Sequence, residues 1–223
     1  MPLCGDAIEK PWPEARGARV LRKVYAGIVI RHLPVARPVE WNPVGMSKTA
    51  LIVIDMINTY DHKDADLLLP SVTSVVPVLT DLLGRARHDE VPVIYVNDNF
   101  GEWRSHHGEL LEHALAGPHA ELVEPLKPDR SSLFVLKARH SIFFETPLTY
   151  LLHQQGIGRL VLSGQVTEQC VLYSALDAHI RHLDVVIPRD AVAHIHEDLA
   201  DAALRMMERN MGAQVCDSGR LWA

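Results

Sequence analysis

Short unbroken apolar runs alternate along this chain with segments whose apolar residues recur every three or four positions. The first run is ALIVI at residues 50–54. It has no polar residue to mark a wet face, which predicts a strand buried on both sides of a parallel sheet. Over residues 71–88, Val72, Val75, Val76, Leu79, Leu82 and Leu83 fall at helical spacing. Further strands are predicted at 92–96, 133–136, 159–163, 184–187 and 213–216, and helices over 109–123, 147–155, 168–182 and 197–210. Gly156 and Gly212 stand where two of those helices should close. Alternation of this kind needs right-handed crossovers, so the sheet should be mostly parallel. The expected fold is a three-layer α/β/α sandwich on a doubly wound sheet of about six strands, in the order 3-2-1-4-5-6.

The first 45 residues break the pattern. They hold six of the 14 prolines (Pro2, Pro11, Pro13, Pro34, Pro38 and Pro43) and no sustained periodicity. We divide the chain into an N-terminal arm, 1–45, and one larger domain, 46–223. Met46 is the first methionine after Met1 and leads directly into the first strand. The arm is read as sequence upstream of the real start, ahead of a disordered arm. A targeting segment comes last, because Asp6, Glu9, Glu14 and Glu40 dilute its positive charge.

Composition narrows the classes of function. With 48% hydrophobic and 22% charged residues, the chain has the make-up of a globular protein. A net charge of −6 and the lack of a long basic run disfavour nucleic acid as a partner. The apolar runs fall short of the roughly 18 residues expected of a membrane span. Cys4, Cys170 and Cys216 are three cysteines, an odd and sparse set that argues for a reducing compartment, so the cytoplasm is expected.

In doubly wound sheets function collects at the carboxyl ends of the strands. Asp55 ends the first strand, Asn97 and Asp98 the second, and Lys137 the third; Gly164 to Cys170 follow the fourth. Thr167 is placed to cap a helix whose first turn holds Cys170, a position that lowers a thiol's pKa. A buried structural cysteine is an equally good reading of Cys170 by itself. Asp55 could serve as a base or merely cap a turn, and Lys137 as a fixed charge or a surface lysine. Asn97 and Asp98, with the aromatic residues Tyr60, Phe100 and Trp103, are candidates for the pocket wall, although packing explains aromatics as well. Of the 13 histidines, His106, His107, His113, His119, His194 and His196 cluster, but without a recognised zinc spacing, so solvated loop positions are expected.

Three segments make the reading more specific: LIVIDMIN at 51–58, Leu136-Lys137, and SGQVTEQCV at 163–171. Their order and spacing resemble the three motifs of the isochorismatase-like cysteine hydrolases, which include nicotinamidases, carbamoyl-amidases and isochorismatases. The resemblance covers about residues 48 to 216. It implies a catalytic triad of Asp55, Lys137 and Cys170, a cis peptide at Gln165–Val166, and an oxyanion hole from the amides of Val166 and Cys170. It also implies a homo-oligomer acting on a small molecule. Members that act on nicotinamide carry a metal-binding Asp-x-His where this chain has Asp98-Asn99-Phe100, so neither metal nor cofactor is expected. Isochorismate-cleaving members lack the cysteine, which leaves amide, carbamoyl or related C–N cleavage.

Rival readings are weaker. A dinucleotide oxidoreductase needs a glycine-rich turn after the first strand, and residues 55–60 (DMINTY) contain no glycine. A phosphatase using Asp55 as nucleophile would want a second carboxylate at Ile57. A non-catalytic binding protein on the same fold is compatible with the sequence.

Overall fold

The computed structural model of the protein describes residues 48–101 and 106–222. The N-terminal arm, Trp103 and Cys4 lie outside the described residues.

Seven strands form one parallel sheet: β1 (Lys48–Ile54), β2 (Val93–Asp98), β3 (Leu133–Lys137), β4 (Ile157–Gln165), β5 (Asp184–Pro188), β6 (Val192–Ala193) and β7 (Gln214–Cys216). The order is β3-β2-β1-β4-β5-β7, with β6 paired to the end of β4. The expected order holds once the two-residue β6 is inserted. That strand was missed because its two residues are too short for any periodicity.

Among the described residues six α-helices flank the sheet: α1 (Ala65–His88), α2 (His107–Leu115), α3 (Ala120–Val123), α4 (Leu148–Gln155), α5 (Leu172–Ile180) and α6 (Glu197–Met211). The two-residue period of β1 divides them. Leu51 and Val53 face the core shared with α1, α2 and α3, while Ala50, Ile52 and Ile54 face that of α4, α5 and α6. Both faces are covered, which is why ALIVI has no polar alternation.

Several helix limits differ from expectation. Helix α1 starts at Ala65 rather than residue 71, although it carries Pro70 and Pro77 inside it. Prolines usually end a helix, but here Leu68 extends the buried stripe and tertiary packing prevails. By length and composition α1 could cross a membrane, but its apolar stripe is buried against the sheet, as a core helix requires. The single helix expected over 109–123 is two, α2 and α3, broken around Gly117 and Pro118. Proline disfavours helical backbone before it, and a side chain at Gly117 would press on Thr59 at 3.2 Å. The helix expected over 168–182 begins instead with a π-helical turn, Thr167–Val171, which passes into α5.

Gly164 decides the fit of the two central strands. Its φ is +101°, and a Cβ there would sit 2.2 Å from the Ile54 carbonyl oxygen. Only glycine lets β4 approach β1 this closely just before the segment that carries Cys170.

Candidate active site

The carboxyl ends of β1 and β3, which flank β2, and the turn after β4 bring Asp55, Lys137 and Cys170 together. Asp55 leaves β1 with left-handed backbone, φ 57°, and its N–H donates to the Val96 carbonyl at 3.1 Å. The Asn97 side chain holds the next turn: its Oδ1 accepts the Ile57 N–H and its Nδ2 donates to the Ile57 carbonyl, both at 3.0 Å. The Gln165 Nε2 donates to the Asp55 carbonyl at 2.7 Å. Three elements therefore aim one carboxylate.

That carboxylate is buried and fully engaged. Oδ1 accepts the Asp98 N–H at 2.7 Å, and Oδ2 lies 2.8 Å from Lys137 Nζ. Lys137, 2% exposed, also reaches Asp98 Oδ2 at 3.5 Å and Cys170 Sγ at 3.6 Å. Burial pushes the Asp55 carboxyl above the usual range, although the Lys137 charge pulls it back part of the way. For Lys137 burial acts downward, yet Asp55, Cys170 and Asp98 together hold the ammonium above its ordinary value.

Cys170 behaves differently from expectation. It lies within the π-helical turn, and Thr167 is no cap: its Oγ1 donates to the Ala193 carbonyl at 2.8 Å, tying that turn to β6. The thiol is pushed well up, first by burial and then by the Asp55 charge, with Lys137 and the Val166 N–H acting the other way. Burial thus opposes the helix-end effect expected at this thiol. The Gln165–Val166 peptide is cis.

A cavity of about 630 Å³ opens over this cluster. Asp55, Asp98, Phe100, Gln165, Val166 and Cys170 line it. Tyr60 and Asn97 do not. Tyr60 is buried in the core with its ring edge-on to His119 at 6.3 Å, and Asn97 is the clamp already described. Asn97, next to the end of β2, turns inward by strand alternation, whereas Tyr60 lies in the loop after β1 and is buried against the core. Of the histidines expected at solvated loop positions, His106, His107, His113 and His196 are exposed, but His107 and His113 sit on α2 rather than in a loop. His113 of α2 lines the cavity, and His107 packs on the Phe134 ring at 5.3 Å.

Asn58 and His140 are among the cavity residues that sequence reasoning missed. Asn58 lines the cavity while its Oδ1 accepts the Tyr60 N–H at 2.7 Å. His140 lines it with Nδ1 at 3.7 Å from Cys170 Sγ. Its place in the loop after β3, at the carboxyl edge of the sheet, was the available signal. Among the described residues no group of three or more His, Cys, Asp or Glu side chains is arranged to hold a metal ion.

Known proteins share this arrangement of strands. The family model described as isochorismatase domain matches residues 49–219. The uncharacterized isochorismatase family protein YaaI of Bacillus subtilis is 30% identical over 172 residues, covering 76% of this chain and 95% of that protein. Maleamate amidohydrolase of Pseudomonas putida is 29% identical over 173 residues, covering 74% of this chain and 81% of that one. The crystal structure of N-carbamoylsarcosine amidase from Thermoplasma acidophilum matches with a TM-score of 0.61 at 28% identity, over 79% of this chain and 99% of that chain. The fold and these relatives define a hydrolase on a parallel, doubly wound sheet. The chain belongs to the isochorismatase-like hydrolase family.

Proposed function

We propose that this protein is a cysteine-dependent amidohydrolase that cleaves a C–N bond of a small molecule through a thioester on Cys170. The observation that carries the reading is the contact set beneath the cavity: Lys137 Nζ lies within 2.8 Å of Asp55 Oδ2 and 3.6 Å of Cys170 Sγ. Two relatives named for amide substrates, maleamate amidohydrolase and N-carbamoylsarcosine amidase, support the choice of bond.

In this reading Asp55 takes the thiol proton as Sγ attacks the substrate carbonyl. The raised position of the carboxyl suits it to hold that proton, and Lys137 offsets the negative charge that the pair retains. The amides of Val166 and Cys170 receive the oxyanion, a contribution of roughly 3 kcal/mol per donor at such sites. The Val166 N–H already faces the sulfur, which supports that assignment. Asp55 then gives its proton to the leaving amine, the C–N bond breaks, and an acyl group remains on Sγ. Water releases it as a carboxylic acid.

The test is ammonia or amine release from a panel of small amides and ureido acids. At least one class is expected to turn over, with Cys170→Ala and Asp55→Asn each down by about 1,000-fold or more while the circular dichroism is kept. Wild-type turnover by Cys170→Ala would refute the scheme.

A further inference from the structure

The fixed charges around the cavity are one-sided. Four carboxylates line it, those of Asp55, Asp61, Asp64 and Asp98, and among the described residues no lysine or arginine does. The ammonium beneath the floor, Lys137, is shared by Asp55 at 2.8 Å and Asp98 at 3.5 Å. Nearer solvent, Asp64 has Lys63 at 4.0 Å, but that lysine side chain is 90% exposed. Asp61 is exposed and meets no cation among the described residues. His62, His113 and His140 complete the titratable wall.

The rest of the wall suits a ligand of the opposite charge. Ile57, Leu68, Leu110 and Ala114 are buried and apolar, which gives a short hydrocarbon stem a surface to lie on. Phe100 is 51% exposed and lines the same cavity, and aromatic faces attract cations. Gln165, only 1% exposed, gives its Nε2 to the Asp55 carbonyl, and its Oε1 makes no hydrogen bond among the described residues. An unpaired acceptor in the wall favours a ligand that brings donors. An ammonium brings donors and positive charge together. A carboxylate brings neither, and Asp61 and Asp64 would repel it.

We propose that the cavity selects small amides whose far end carries a positive charge, received by Asp61 and Asp64 while the amide carbonyl sits over Cys170. This rests on the thioester reading above and names the substrate class for it. The loop between β1 and α1 then reads both ends of the substrate. Asp55 opens that loop at the reacting bond, and Asp61 and Asp64 stand near its close, just before Ala65 begins α1. These two are specificity residues, and bond making and breaking stay with Cys170 and Asp55.

Three primary amides of matched length test the selection: 4-aminobutanamide as cation, pentanamide as neutral isostere and succinamate as anion. At about pH 8, where imidazoles are ordinarily uncharged, ammonia release should give the cation a kcat/KM at least about tenfold above pentanamide, with succinamate lowest. That preference should shrink between about 0.05 M and about 0.5 M NaCl. It should also fall about tenfold in Asp61→Asn combined with Asp64→Asn, whereas misfolding would lower all three rates alike. Methanethiosulfonate labelling of Cys170, read on its peptide by mass spectrometry, senses the same field without turnover. The trimethylammonium-ethyl reagent should outpace the sulfonatoethyl reagent at least about tenfold, each rate being divided by its rate with 2-mercaptoethanol. Equal turnover of the three amides, a lead for succinamate, or a labelling ratio near one overturns the charge selection and leaves the thioester reading standing. Amide turnover undiminished in Cys170→Ala overturns the thioester reading, and the selection with it.

Discussion

Lys137 shows how much one residue's meaning depends on where it is held. Exposed lysines are usually solvated, but this one is buried between Asp55 and Asp98 with the thiol alongside. Removing one member of a buried ion pair leaves its partner charged and unpaired, which costs roughly 3–5 kcal/mol. Lys137→Met is therefore expected to lower the denaturant midpoint strongly. The deficit should also depend on pH. Burial already raises the Asp55 carboxyl, and loss of the ammonium raises it further, so the folded state binds a proton that the unfolded chain releases. Stability is then retained at acid pH and lost as pH rises through the folded value, so urea melts should show a larger deficit at about pH 8 than at about pH 5. At Cys170 the raised thiol makes a second prediction. Iodoacetamide labelling of the Cys170 peptide, followed by mass spectrometry, should keep accelerating from about pH 7 to about pH 10. A plateau near neutrality would instead indicate a preformed thiolate.

At the scale of elements, the approach of β4 to β1 carries the site, and Gly164 permits it. Gly164→Ala combines a positive φ with a Cβ 2.2 Å from the Ile54 oxygen. Relief requires the strands to part, and the expected loss is at least ~3 kcal/mol in equilibrium unfolding. A midpoint like that of wild type would show that the strands yield more easily than this packing implies. The π-helical turn after β4 is anchored through its first two residues. Thr167 donates to Ala193, and Glu168 Oε1 accepts the N–H groups of Ile195 and His196 at 3.0 and 2.8 Å. These bonds join residues far apart in sequence, so Thr167 resembled a helix cap as long as only its neighbours were in view. Helical spacing survived translation into structure where the stripe was long, as in α1. It failed over 109–123, where Gly117 and Pro118 overrode a continuous-looking pattern.

At the scale of the whole molecule, the strands and hydrophobic cores of the described residues form a sheet covered on both faces, starting at Lys48. The family match likewise begins at residue 49. We propose that the domain starting at Met46 folds by itself. A chain beginning there should melt within about 3 °C of the full-length protein and keep its hydrolase activity. The sequence by itself determined the parallel three-layer architecture, because doubly buried strands and amphipathic helices announce themselves through local periodicity. It also determined which polar residues stand at strand ends, since a strand's last residue is a matter of counting. Only the tertiary structure decided which of those residues meet. Asp55, Lys137 and Cys170 are separated by 82 and 33 positions and come together through the order of strands in the sheet. The same holds for Tyr60 and Asn97, which turn into the protein, and for His140, which reaches the sulfur. Side-chain direction at a loop is set by packing against distant segments, and no local pattern encodes it.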